Sequence, residues 1–164
     1  MTTEMTPQTT APIPRIEIPP VIRELGLDKQ NRALIGRLIL TGGFGFAAEG
    51  PGGRLYAQVR IPTDELIWQP SVIIMPHEGE LELELINDDD NDHAAFLPSN
   101  GDFQWIHLVQ HSRGSATLSL DGPGCYWFGS PYGNDEGRGL VGVIAVLGET
   151  PPQARLDRPP QPRP

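Results

Sequence analysis

The chain has a single cysteine, Cys125, in 164 residues, so it cannot form an internal disulfide. No histidine follows His111 and no methionine follows Met75. A metal site that takes a thiolate, an imidazole and a thioether together from the segment around Cys125 is therefore excluded. A lone cysteine fits a metal or thiol role, but the commoner outcome is simple burial.

Basic residues are missing from the middle of the chain. No Lys or Arg occurs between Arg60 and Arg113, while Asp and Glu recur there, and the formal net charge is -9. Nucleic acid is disfavoured, because its phosphates require basic side chains. The asymmetry predicts one negative face that attracts cations or a protein partner with a basic patch. Ordinary solubility from surface acids is the alternative.

The sequence also lacks targeting and membrane signals. The start "MTTEMTPQTTAPIPRIEIPP" has no basic segment followed by an apolar one, as a signal peptide would. The apolar runs are too short to span a bilayer. We expect a soluble protein without a membrane partner, located in the cytoplasm, or in the periplasm if Met1 replaces a removed leader.

The 19 glycines and 18 prolines favour short strands and turns over long helices. We divide the chain into an N-terminal tail (1–20), an extension (21–53), a β domain (54–148) and a Pro-rich basic tail (149–164). The spacing of apolar residues in 20–40 predicts either one short helix or a helix-turn-strand that packs on the domain. The C-terminal tail has the composition of polyproline II, which either binds a groove or stays solvated.

From Arg54 onward the pattern is that of strands. "ELELELIN" alternates strictly, with glutamates on one face and leucines on the other. "DFQWIHLVQ" and "SATLSL" alternate as well, and about seven such segments predict a β-sandwich or barrel. We expect Trp68, Trp105 and Trp127 to lie in the core, a stacking cleft being the alternative.

The order of three pieces resembles the cupredoxins, the blue-copper family. These pieces are "SVIIMPHEGELELELIN" followed by an acidic loop and His93, then "RGSATLSL", then "PGCYWF" with a loop and "VGVIAV". The resemblance covers roughly residues 54–148. It implies an all-β, Greek-key sandwich of the cupredoxin type, with the N-terminal extension added to it.

The same resemblance implies a copper site of one early His and a late Cys-His-Met loop, and here the chain departs from the family. His93 matches the early ligand. The late positions fall near Gly129 or Ser130, Asn134 and Leu140, none of which is a good copper ligand. Blue type 1 copper is therefore not expected, although copper or another divalent metal ion is a possible cofactor.

Two sites remain as metal candidates. The first combines the acidic loop with the loop opposite, and its residues are His93, Asp92, Asn134, Asp135 and Glu136. Such oxygen and imidazole donors suit a hard cation or a transition metal, and a solvated acidic turn is the alternative. The second candidate is His77 with His111, if the turns that carry them meet at the opposite end of the domain.

Three functions are compatible with these features. The first is a cupredoxin-like protein that handles copper or another divalent ion, or transfers electrons, through a non-blue site near His93. The second is a metal-free interaction module, an accessory subunit that docks to a larger oxidoreductase through its acidic face. An enzyme that uses the acidic end with a metal ranks last, because no nucleophile motif is present.

Overall fold

The structure is a computed structural model that describes residues 20–23, 25 and 29–148. The predicted fold class is confirmed, since the described residues form two packed β sheets. The helices and strands in this part of the chain are α1 (Pro20–Arg23), α2 (Lys29–Gly42), β1 (Phe44–Phe46), β2 (Ala48–Glu49), β3 (Leu55–Ile61), β4 (Val72–Met75), β5 (Gly79–Asn87), β6 (His93–Ser99), β7 (Asp102–Leu108), β8 (Ser112–Leu120), β9 (Gly124–Gly129) and β10 (Val141–Val146).

The first sheet has six strands in the order β1-β4-β10-β9-β6-β7, and the second has four in the order β2-β3-β5-β8. Three pairs are parallel, namely β1–β4, β4–β10 and β3–β5. The short strands β1 and β2 follow each other in the chain but join different sheets. The extension therefore adds an edge strand to each sheet of the sandwich.

The core between the sheets follows from the alternation of apolar residues. The leucines of β5, at positions 81, 83 and 85, are fully buried. They pack with apolar residues from both sheets, including Val59, Leu118 and Ile144. Because successive side chains of a strand point to opposite faces, the β5 glutamates face solvent, as the sequence predicts.

The outer face of β5 is less negative than its three glutamates suggest. Arg54 on the neighbouring segment lies 2.8 Å from Glu80, and Arg113 on β8 lies 2.7 Å from Glu84. Each guanidinium compensates a carboxylate across the sheet. The negative surface of the protein must therefore lie elsewhere.

A second apolar layer covers the other side of the six-stranded sheet. Ile22 and Leu25 around α1, and Ile35 and Leu38 on α2, are buried. They contact the outward-facing side chains of β4 and β10, which are Val72, Ile74, Val143 and Ala145. The Ser71 hydroxyl donates a hydrogen bond to the Leu38 carbonyl and ties the end of α2 to β4. Neither described helix is long and apolar enough to cross a bilayer.

The aromatic residues are only partly in the core. Trp68 is fully buried and its ring centroid lies 5.4 Å from that of Phe128. Trp127 is partly buried under the helices. The expectation was wrong for Trp105, which is 53% exposed, because its side of β7 faces away from the core and the described helices cover other strands.

We predict that Ile35→Ala lowers the free energy of unfolding by about 2–5 kcal/mol, because it leaves a cavity between α2 and the sheet. Urea denaturation measures the change. Leu40→Ala on the same helix is the control: Leu40 is 68% exposed, so its truncation should cost less than about 0.5 kcal/mol. Equal effects of the two substitutions would contradict the packing of α2.

Candidate functional site

His93 lies at one end of the sandwich and is the centre of a buried polar cluster. It is the first residue of β6, and its side chain is only 2% exposed. Its Nε2 lies 2.8 Å from Asp89 Oδ2, and its Nδ1 lies 2.7 Å from Asp135 Oδ2. Both ring nitrogens therefore have a carboxylate as partner.

Asp89 reaches His93 because the loop after β5 is folded by a buried asparagine. Asn87 accepts a hydrogen bond from the Asp89 backbone N–H at 2.9 Å. Its amide donates to the carbonyls of Asn91 and Leu108, at 2.9 and 3.0 Å. The loop is thereby held against the end of β7, with the Asp89 carboxylate turned inward.

Asp135 comes from the loop between β9 and β10. Its backbone N–H donates to the Tyr132 carbonyl, and its carbonyl accepts from the Leu140 N–H, so the loop folds back on itself. The buried Ser130 hydroxyl donates to Asp135 Oδ2 at 2.7 Å and accepts the Ala94 N–H at 3.2 Å. Ser130 thus joins this carboxylate to the strand that begins at His93.

The pKa of Asp89 shows that its carboxylate is ionised at neutral pH. Burial, the largest single influence, raises this pKa. Hydrogen bonds to the carboxylate outweigh burial, and they are donated by His93, by the backbone N–H groups of Asp64 and Asp90, and by Asn91. The net effect lowers the pKa of Asp89 from 3.8 to about 2.

The contacts also dictate where the protons of His93 lie. An ionised carboxylate accepts hydrogen bonds and donates none. Where both carboxylates accept, both ring nitrogens of His93 donate. A metal would then have to replace one of these two N–H donors, because a metal ligand must be an unprotonated nitrogen.

The structure brings together only two of the five residues of the first predicted metal site, His93 and Asp135. Asp92 is exposed and accepts a hydrogen bond from the Gln110 N–H. Asn134 and Glu136 are exposed as well, and the Glu136 side chain lies over Gly129. Within residues 20–23, 25 and 29–148, no three His, Cys, Asp or Glu side chains are arranged to hold a metal ion.

The structure does not bring together the residues of the second predicted metal site, His77 and His111. In the β5–β8 pair, Gly79 lies opposite Leu120 at one end and Asn87 opposite Ser112 at the other. His77 precedes β5 and His111 precedes β8, so they lie at opposite ends of a ladder that is about 27 Å long. His111 instead lies with its Nε2 2.7 Å from an Asp90 oxygen, at the His93 end.

Cys125 is not available as a ligand or nucleophile. It lies on β9, on the face that the helices cover, opposite Ala145 of β10. Burial raises the pKa of its thiol to about 12, so at neutral pH the thiolate is essentially absent. The lone cysteine is thus an apolar packing residue.

At the positions where the resemblance implied the late copper ligands, the structure places other groups. Ser130 follows β9 and lies beside the strand of His93. Leu140 is fully buried in the core. The residue of the loop that reaches His93 is Asp135 and not its neighbour Asn134.

The alternation of buried residues in the sequence pointed to Asp89, although we had selected Asp92. The buried side of β5 carries every second residue, and this series continues beyond Leu85 through Asn87, which is fully buried, to Asp89, which is 2% exposed. Asp89 lies in a bend two residues beyond β5 but keeps the spacing of the inward-facing series, whereas Asp92 does not. No comparable pattern distinguishes Asp135 within its loop.

We predict that the protein loses on the order of 2 kcal/mol of stability as the pH falls from about 5 to about 2, through Asp89 alone. The folded pKa is lowered, so this stabilisation is complete above the unfolded value and is lost on acidification. Asp89→Asn should flatten this part of the profile, measured by urea unfolding at several pH values. Asp90→Asn, an exposed neighbour, is the charge-matched control; an unchanged slope in Asp89→Asn would contradict the assignment.

Solved structures confirm a cupredoxin-like fold. Reduced auracyanin from Roseiflexus castenholzii matches with a TM-score of 0.51 and 13% identity, over 57% of this chain and 97% of auracyanin. The metal-binding domain of the Cu(I)-exporting P-type ATPase CopA from Streptococcus pneumoniae matches with a TM-score of 0.52 and 10% identity, over 64% and 96%. At such low identity the likeness shows the fold alone. No curated protein matches the sequence.

A family model extends beyond the sandwich in both directions. It is described as PQQ-associated and matches residues 15–164, which include the helices and the Pro-rich segment at the end of the chain. The match covers far more than half of the sequence. The chain therefore belongs to the PQQ-associated family.

Proposed function

We propose that the protein is a metal-free, cupredoxin-like interaction module that serves as an accessory subunit of an oxidoreductase dependent on pyrroloquinoline quinone (PQQ). The observation that carries this proposal is the pairing of both His93 ring nitrogens with carboxylates, at 2.7 and 2.8 Å. Each position from which His93 could bind a metal is taken by a hydrogen bond to a carboxylate. In this proposal the end of the sandwich holds two loops in place and offers a binding surface, and it carries no redox centre.

The donor set around His93 fits copper poorly. Auracyanin A from Chloroflexus aurantiacus and the CopA domain with Cu(I) are copper proteins by their descriptions. Soft thiolate and thioether donors are what select copper in such sites. Here a hydroxyl, that of Ser130, lies next to the His93 strand, and Leu140 offers only a hydrocarbon side chain. Cys125 lies on the face of β9 that the helices cover, and its thiol is protonated at neutral pH.

The family description and the charge of the chain together favour a protein that holds PQQ over the quinone itself as the partner. PQQ is a polycarboxylate, and a site for it needs Arg or Lys side chains. The stretch from 61 to 112, which forms β4 to β7, has neither. An acidic module suits a partner that carries basic residues around the entrance to its own PQQ site.

The surface for this partner is the end of the sandwich around His93, which we name the acidic end. Its exposed carboxylates are Asp64, Glu65, Asp90, Asp92 and Glu136. They lie around the buried cluster, because the Asp64 N–H donates to Asp89 at 3.0 Å and Glu136 follows Asp135 in the chain. The cluster below keeps the two loops in place, so the charges are presented on a rigid surface.

A divalent cation is the second candidate for this end. Each ring nitrogen of His93 has one carboxylate beside it, at 2.7 and 2.8 Å, and an imidazole with a carboxylate is a donor pair that binds zinc and other divalent ions. Such an ion would have to displace a proton from His93, which makes its binding weaker at low pH. If such an ion binds, the function would be metal handling or electron transfer.

We predict that the purified chain binds the holo form of a PQQ-dependent oxidoreductase from the same organism, and that added salt weakens the complex. Asp90→Asn with Asp92→Asn should raise the Kd on the order of ten-fold, mainly through slower association. Surface plasmon resonance measures both rates.

The matched control is Glu80→Gln with Glu82→Gln, which removes the same charge from β5, where Arg54 pairs both residues. It should leave the Kd nearly unchanged. Absence of binding to the holoenzyme, or binding that is equally strong in high salt, would overturn the proposed docking. Free PQQ should not bind the chain, and the fluorescence of its tryptophans reports any such binding.

A further inference from the structure

A continuous set of exposed and half-buried aromatic rings lies on the outer side of β6 and β7 and on the loop after β9, and we name it the aromatic face. Its members are Phe96, Phe103, Trp105, His107 and Tyr132. Phe96 and Phe103 stack with centroids 4.4 Å apart and planes within 5°, and Trp105 meets Phe96 edge-on at 5.8 Å. Phe103 and Trp105 are each more than half exposed.

This face belongs to the same sheet side that the helices cover elsewhere. Helices α1 and α2 bury the outward side chains of β4 and β10 and part of β9. Among the described residues they do not reach β6 and β7, where the aromatic rings take the corresponding positions. An exposed aromatic surface of this kind marks a binding site more often than a random surface does.

The surroundings of the aromatic face are negative. Asp92 lies 3.9 Å from His107 Nε2, and Asp102 begins β7 beside Phe103. No Lys or Arg occurs on β6 or β7. An occupant that brings arginines could therefore stack them on the rings and place them close to carboxylates.

The chain itself contains a segment of this chemistry. Residues 151–164 read "PPQARLDRPPQPRP", with six prolines, three arginines and one acidic residue. Proline-rich segments bind aromatic-lined grooves in other proteins, because polyproline II is already extended and loses little entropy on docking. The family match includes this segment, since it runs to residue 164.

The last described strand ends at the same end of the six-stranded sheet as the turn that precedes β7. The last strand ends at Val146, which lies opposite Gly124 at the start of β9. The turn between β6 and β7 is at the same end, because Asn100 in this turn makes two hydrogen bonds, each 3.0 Å long, with Asp121 in the segment before β9. Phe103 follows this turn directly.

The C-terminal segment is long enough to reach the aromatic face. In the sheet order, β7 lies three positions from β10, about 14 Å away. Sixteen residues follow Gly148, and polyproline II advances about 3.1 Å per residue, so the segment spans roughly 50 Å. That length is enough to cross to β7 and to continue along its aromatic side chains from Phe103 to His107, a run of about 14 Å.

We propose that residues 151–164 bind the aromatic face of the same molecule, with prolines and arginines against Phe103, Trp105 and Phe96. Neither PQQ nor the partner enzyme enters this inference, which stands apart from the proposed docking at the acidic end. In the folded chain the segment covers a surface that would otherwise expose stacked aromatic rings.

The test is a paramagnetic relaxation measurement on the full chain. Gln161→Cys, in a Cys125→Ala background, carries a nitroxide label in the segment. We predict selective loss of the amide NMR signals of β7 from Phe103 to His107, and recovery of these signals when the label is reduced. Phe103→Ser with Trp105→Ser should abolish the loss, because both side chains are exposed and dispensable for the core.

Phe46→Ser is the matched control, since Phe46 is also more than half exposed but lies on a different strand, and it should keep the effect. Arg155→Gln, Arg158→Gln and Arg163→Gln together should weaken it. β7 signals of full intensity with the label in place would overturn the proposal. So would a loss that appears only between labelled and isotope-enriched molecules in a mixed sample, which would mean binding to a second copy.

Discussion

One imidazole held between a buried and a half-buried carboxylate organises the end of the sandwich. His93 starts β6, Asp89 belongs to the loop after β5 in the other sheet, and Asp135 belongs to the loop before β10. A buried charge must be paired, and removal of one partner of such a group costs about 3–5 kcal/mol. The three segments therefore keep one geometry. His93 is joined to the loops on either side of it by hydrogen bonds.

The remaining surfaces follow from this arrangement and from the helices. The fixed loops present the acidic end, while α1 and α2 cover the outer side of β4, β10 and part of β9 and leave the aromatic face on β6 and β7. Two surfaces of different chemistry result, one suited to a basic partner and the other to a proline-rich, arginine-bearing segment. We propose both as interaction surfaces, in keeping with the accessory role proposed for this member of a PQQ-associated family.

Local alternation made much of the fold predictable. The pattern of β5 alone fixes which side is buried, and continued by four residues it leads to Asp89. The positions of residues that are distant in the sequence could not be predicted in this way. We expected His77 and His111 at the same end of the domain, but their separation depends on the register of β5 with β8. The exposure of Trp105 depends on which strands the helices cover, and the selection of Asp135 over Asn134 depends on a loop conformation. None of these is encoded in the spacing of neighbouring residues.

The most direct test of the account is nitrogen-15 NMR of the His93 ring at neutral pH, before and after one equivalent of Cu(II) is added. The hydrogen bonds to Asp89 and Asp135 predict that both ring nitrogens carry protons. They also predict that the His93 signals survive copper addition. An unprotonated ring nitrogen, or loss of the His93 signals on addition of one equivalent of copper, would contradict the account and restore a metal site at this end of the sandwich.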